Sequence, residues 1–221
     1  MENNVHTTDS AQETKPNIAA EVKEFYKEDF KNIFFTFFKN PINGIYSILQ
    51  RPSEKSYNHS LILYGSVFVL YFIGLQLLAG DKKEFLELSH FLKISLIPVI
   101  LMFVISCLSF GVKSISGNPT FKNELLTGGL SGIPLGMIIP IMLIFKIFGS
   151  DELFEKLMRS PEKLGIFISL FFFYIILMLI NIFQQSLRSA KTNMTLTWYI
   201  PPVAILLAFY ITYKLSESLL F

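Results

Sequence analysis

Residues Leu125 to Phe148 read LLTGGLSGIPLGMIIPIMLIFKIF. The stretch holds no Asp or Glu, and its one charge, Lys146, lies close to its end, where a long side chain can snorkel to water. A helix of about 20 apolar residues crosses the hydrocarbon core of a bilayer. Lipid leaves a spanning backbone two options, helix or closed barrel. The run is continuous rather than alternating, which selects the helix. Four more runs of the same kind flank it: Ser60 to Ala79, Ile94 to Val112, Leu164 to Phe183 and Thr197 to Tyr213. None contains an Asp or Glu, and Lys93, Lys113 and Lys214 stand just outside their ends.

Composition agrees with this reading. Of 221 residues, 52% are hydrophobic and 16% charged, and the mean hydropathy is +0.49. Soluble domains carry about 25% charged residues, so an ordinary soluble domain is excluded. A net charge of +2 gives no concentrated basic surface for nucleic acid. Cys107 is the single cysteine and forms no intrachain disulfide; the sequence places it inside an apolar helix as an inert thiol. The expected organisation has three parts. Residues 1–17 form a disordered polar tail without a signal peptide. Residues 18–56 form interfacial amphipathic helices. Residues 57–221 form an all-α, five-span integral membrane domain. The expected connections are Gly80 to Lys93, Lys113 to Glu124, Gly149 to Lys163 and Gln184 to Leu196.

Orientation follows from basic residues. With the N-terminus inside, the inner side holds eleven Lys and Arg, and the outer side holds eight. The expectation is therefore a cytoplasmic N-terminus.

Before the first span, Val22, Phe25, Tyr26, Phe30, Ile33, Phe34, Phe37 and Phe38 recur at three-and-four spacing, opposite Lys23, Glu24, Lys27, Glu28 and Lys31. Such a face either lies in the headgroup layer, with Phe25, Phe30, Phe34 and Phe37 as interfacial anchors, or packs on the inner surface of the bundle. Asn40-Pro41 reads as the start of a second short helix, a capping side chain followed by proline at the first position. Arg51-Pro52 ends that helix.

Gly128, Gly132 and Gly136 repeat every four residues and share a helix face, so another helix can approach closely there. The neighbour is either a helix of the same bundle, a second copy or a partner. Pro134 and Pro140 each remove a backbone donor and kink the third span, as Pro98 does the second. Gly-rich, kinked helices also line transport routes. Polar residues at membrane depth are Gln76, Ser106, Ser109, Asn181, Gln184 and Gln185; they suit interhelical hydrogen bonds or a solute path. The chain carries no HExxH, no G-x-S-x-G and no intramembrane carboxylate pair. His6, His59 and His90 lack metal-ligand spacing. Glu152, Glu155 and Arg159 loosely resemble the glutamate–arginine motif of intramembrane CAAX-type proteases, without its paired glutamates or second histidine motif. The sequons at Asn58 and Asn193 face the cytoplasm in this topology. No catalytic, cofactor or metal site is expected.

A family resemblance rests on two segments. Asn40 to Leu49 follows the pattern N-P-x-x-x-I-x-x-I-L, and Ser116 to Leu126 reads SGNPTFKNELL, leading into a span with Pro134. Over roughly residues 38–215 the chain resembles the bacterial branch of the YIP family, the Ypt-interacting proteins. The resemblance implies a five-span membrane protein without catalytic residues. The Asp-Leu-Tyr-Gly-Pro tail motif of eukaryotic members is absent, so a GTPase partner is not implied. A composition rich in Ile, Phe, Lys and Asn resembles that of AT-rich bacteria. The expectation is a non-enzymatic scaffold or adaptor in a bacterial cytoplasmic membrane, contacting lipids and other membrane proteins or itself. The alternative is a transporter or channel subunit built on the broken third span.

Overall fold

Long charge-free runs punctuated by Gly, Asn and Pro leave helices as the way to satisfy the backbone, and helices are what form. The computed structural model describes residues 18–50, 56–80, 87–148 and 161–220, and every regular element among them is helical. Helix α1 (Ile18–Glu24) runs through a π-helical turn (Phe25–Asp29) into α2 (Phe30–Lys39). Then come α3 (Asn43–Gln50), α4 (Ser56–Ala79), α5 (Leu88–Ser116), α6 (Phe121–Gly136) and α7 (Ile138–Phe148). Helices α8 (Pro161–Ser189) and α9 (Met194–Leu220) complete the chain. Five stretches are long and apolar enough to cross a membrane: Tyr57–Ala79, Leu88–Ser116, Phe121–Ile147, Gly165–Ser189 and Met194–Ser218. The protein is an all-α, multi-pass membrane protein.

Several expected boundaries move. The connection assigned to Lys113 through Glu124 shrinks to Gly117–Thr120, because α5 continues to Ser116 and α6 begins at Phe121. Both charges become helical because they neutralise one another across the hairpin. The third span divides at Met137, between Pro134 and Pro140. Pro140 has no N–H for the Gly136 carbonyl. Met137 N turns back to the Pro134 carbonyl at 3.3 Å, and the Tyr71 hydroxyl donates to the Leu135 carbonyl at 2.9 Å. Helix α5 runs unbroken through Pro98, which is buried. The expected tail (residues 1–17), Arg51-Pro52, and the loop carrying Glu152, Glu155 and Arg159 lie outside the described residues.

Helix α6 is the hub. It packs on α4, α5 and α8 and is buried from Leu126 through Leu135. On its far side, α9 closes against α5 and α8 around Met102, Ile105, Leu179, Phe183 and Ile205. Helices α2 and α3 fold back as a hairpin whose Phe37 and Ile45 insert among Leu126, Leu130, Met178 and Ile182. The hairpin is tight because Gly44 lies against Thr36, where a Cβ would stand 2.6 Å from the Thr36 carbonyl oxygen. The Asn40 side chain caps α3, accepting from Asn43 N at 3.1 Å. At the opposite end, Gly80 leaves α4 at φ 55°, the left-handed conformation that ends many helices. Lys146 Nζ donates to the Leu77 and Leu78 carbonyls at 2.6 and 3.2 Å, satisfying acceptors at the end of that helix.

Candidate functional site

Three polar or open features surround the hub. The first is a closed network where α5, α6 and α8 meet. Lys113 Nζ lies 2.8 Å from both carboxylate oxygens of Glu124, and the two side chains are 7% and 4% exposed. Ser109 Oγ donates to Glu124 Oε2 at 2.6 Å. Its hydrogen is then committed, so Ser186 donates to Ser109 at 3.1 Å, and Thr127 donates to Ser186 at 2.7 Å. Ser131 ties back to the Thr127 carbonyl at 3.0 Å. One-way donation along Thr127, Ser186, Ser109 and Glu124 uses each hydroxyl hydrogen once. Lys113 and Glu124 were read from sequence as loop residues, and the pairing was missed. A basic and an acidic residue on either side of the Gly117-Asn118-Pro119 turn were the available signal.

The glycine stripe meets helices of its own bundle. A Cβ on Gly128 would collide with Ser106 Oγ, the Tyr64 hydroxyl and the Met102 carbonyl. One on Gly132 would stand 2.7 Å from Met102 Cε and 2.8 Å from Val67 Cγ2, and one on Gly136 would touch Leu70 at 3.4 Å. Close approach lets Tyr64 and Ser106 hydrogen-bond at 2.9 Å. The stripe is thus occupied by α4 and α5.

The second feature is an apolar groove of about 920 Å³ between the π-turn and α2, the outer face of α4, and α6–α7. Tyr26, Phe30 and Phe34 form one wall, and Gly132, Gly136 and Pro140 contribute to the floor. Tyr26 and Ser66 hydrogen-bond across one end. The four expected interfacial phenylalanines divide. Phe25 is buried against His59, and Phe37 is buried in the hairpin core, whereas Phe30 is half-buried and Phe34 exposed. Pro41, half-buried, accepts at its carbonyl from Asn181 Nδ2 at 2.8 Å. His59 Nε2 stands 3.2 Å from Asp29 Oδ2, which ties the π-turn to α4.

The third feature is a cavity of about 510 Å³ where α8 ends, α9 begins and α3 starts, lined by Asn181, Gln184, Gln185, Arg188, Thr192 and Thr197 together with Ile42, Met194 and Trp198. The Arg188 guanidinium lies 4.7 Å from the centre of the Tyr46 ring. The glycine stripe and the polar residues at membrane depth, either of which suits a solute path by sequence, do not line one route. Gly136 lies in the groove, and Asn181, Gln184 and Gln185 lie in the cavity. Cys107, read as enclosed, is exposed on the outer face of α5. His90 is also exposed. Among the described residues, no three His, Cys, Asp or Glu side chains gather as metal ligands.

The arrangement can pack apolar chains in the groove and hydrogen-bond a polar group in the cavity. No protein-family model matches the chain, and no curated protein or solved structure matches it.

Proposed function

We propose that the chain is a non-enzymatic scaffold of a bacterial cytoplasmic membrane, YIP-like in type and with its N-terminus cytoplasmic, that seats a transmembrane helix of another membrane protein in the lateral groove. The observation that carries this reading is the groove's outer wall. Along α4, Ile62, Ser66, Val69, Ile73 and Leu77 recur at three-and-four spacing, the pattern of a helix-packing seam. Val69, Ile73 and Leu77 are each more than half exposed. Gly65 lies in the same wall with open space before it, so a second helix can approach closely. The Asn40–Leu49 and Ser116–Leu126 segments support the YIP-like assignment, and the excess of Lys and Arg on the first-helix side supports the orientation.

A transporter draws support from the break at Met137. The groove beside that break is apolar, however, and offers a polar solute almost no partners.

The test is co-purification from mild detergent of tagged wild-type protein and Gly65→Leu, a substitution that adds bulk in the groove at a position where a Cβ meets no atom within 4 Å. The expected result is a stoichiometric membrane protein with the wild type that is depleted with Gly65→Leu. A partner retained undiminished, or a homogeneous particle carrying lipid alone, contradicts the scaffold.

A further inference from the structure

The segment from α1 through α2 lies along the groove as a strap, and its acidic face meets a single histidine. Between α1 and α2 the chain makes one π-helical turn, in which Phe30 N–H donates to the Phe25 carbonyl five residues back. That bond sets residues five apart on one side, where an α-helix would splay them by about 140°. Phe30 comes to lie beside Phe25, with ring centres 6.0 Å apart, and Asp29 joins the side that carries Glu21 and Glu24.

Those three carboxylates line one cavity of about 150 Å³ against Asn58 and His59, at the start of α4. No Lys or Arg lines it among the described residues, so the positive charge available there is that of His59. His59 Nε2 lies 3.2 Å from Asp29 Oδ2, with the side chains 15% and 39% exposed. Asn58 Nδ2 donates to Glu21 Oε2 at 3.2 Å. Phe25 is buried, with its ring centre 4.9 Å from that of the imidazole. The same strap carries Tyr26, Phe30 and Phe34, the wall of the groove. The charge on His59 is thus coupled to the seating of that wall.

We propose that the Asp29–His59 pair is a proton-operated latch: protonated His59 holds the strap against α4 and completes the groove, and loss of that proton loosens it. An imidazole is charged near pH 6 and neutral above pH 8, while carboxylates are ionised throughout that range. With the imidazolium gone, a charge-assisted pair becomes a weaker hydrogen bond from a neutral donor. The three carboxylates are also left facing one another without a counter-charge. The latch therefore closes on the acid side and opens on the alkaline side. The latch stands on these contacts, and what it regulates, the seating of a partner helix, rests on the reading given above.

The test is pulsed electron paramagnetic resonance on full-length protein in nanodiscs, with Cys107 replaced by Ser. Nitroxides go on Lys31→Cys of α2 and Asn123→Cys of α6, both exposed positions. Two distance populations are expected, with the ratio of seated to displaced strap falling about fivefold from pH 6 to pH 8.5. His59→Gln should hold that ratio constant across the range. Asp29→Asn, which keeps the imidazole, should shrink the change to about twofold or less, and it reads the latch should His59→Gln fail to assemble. A wild-type distribution that pH does not move, or one that moves equally in both variants, overturns the latch. Partner retention is scored separately at the two pH values. Retention that stays equal while the distances shift overturns the latch as a control on the groove. Shifting distances with no partner at either pH contradict the scaffold and support the latch.

Discussion

Gln185 and Ser186 are consecutive residues of α8, yet they belong to opposite kinds of polar chemistry. Ser186 turns into the bundle and joins a network in which Lys113, Glu124, Ser109 and Thr127 are all satisfied. Gln185 turns the other way, donates Nε2 to Asn181 Oδ1 at 3.2 Å, and leaves a buried Oε1 that has no donor among the described residues. One residue of helix is about 100° of rotation, enough to separate the two. The closed network holds helices together, and what it binds is already in place. The other leaves one buried acceptor unmatched, a cost of about 1–3 kcal/mol that the surrounding packing must offset.

Breaking the closed network should cost most. Glu124→Ala strands Lys113 as a buried unpaired cation, and loss of one partner of such a pair destabilises by about 3–5 kcal/mol. Thermal or steric-trap unfolding in detergent should show this, and the double variant Lys113→Met with Glu124→Leu should recover most of it. Equal loss in the double variant would remove the pairing from the explanation. Next comes Gly128→Leu, whose side chain must displace Ser106, Tyr64 and the Met102 backbone. Overpacking of this kind costs roughly 1–3 kcal/mol or more, read as a lowered melting temperature. Ser109→Ala removes one link between α5 and its neighbours, and about 1 kcal/mol is expected from the same measurement. Gln185→Leu sharpens the contrast. It deletes an unpartnered acceptor along with one amide bond, so stability should stay within about 0.5 kcal/mol of wild type. A loss as large as that of Ser109→Ala would make Gln185 part of the structural network and erase the distinction.

The five spans were legible because length and the absence of Asp and Glu decide them locally. The α6–α7 break was legible for a similar reason, since Pro134 and Pro140 lose their donors wherever they stand. The close packing of Gly128, Gly132 and Gly136 followed from spacing, but spacing could not say which helices would fill the stripe. The Lys113–Glu124 pair was not legible. Each charge, weighed singly, argues for a loop, and only the hairpin through Gly117–Thr120 makes them cancel. Asn181, Gln184 and Gln185 were legible as polar residues at membrane depth, but the groove and the other walls of the cavity were not, because each is assembled from distant segments. Tyr26 meets Ser66 across the groove, and Pro41 meets Asn181 beside the cavity. Sequence periodicity marks the faces that bury, not the gaps left between them.

Because Gly128 and Gly132 are packed closely by α4 and α5 of the same bundle, the face left for a partner is the groove along the outer side of α4. A photoreactive side chain placed at Ile73, in native membranes, tests that face most directly. A control at Leu207, exposed on α9 and outside the groove, reports random encounters. The predicted result is a discrete protein adduct from Ile73 and none from Leu207. Lipid adducts alone at Ile73, or the same protein adducts from both positions, would contradict a scaffold that docks its partner along α4.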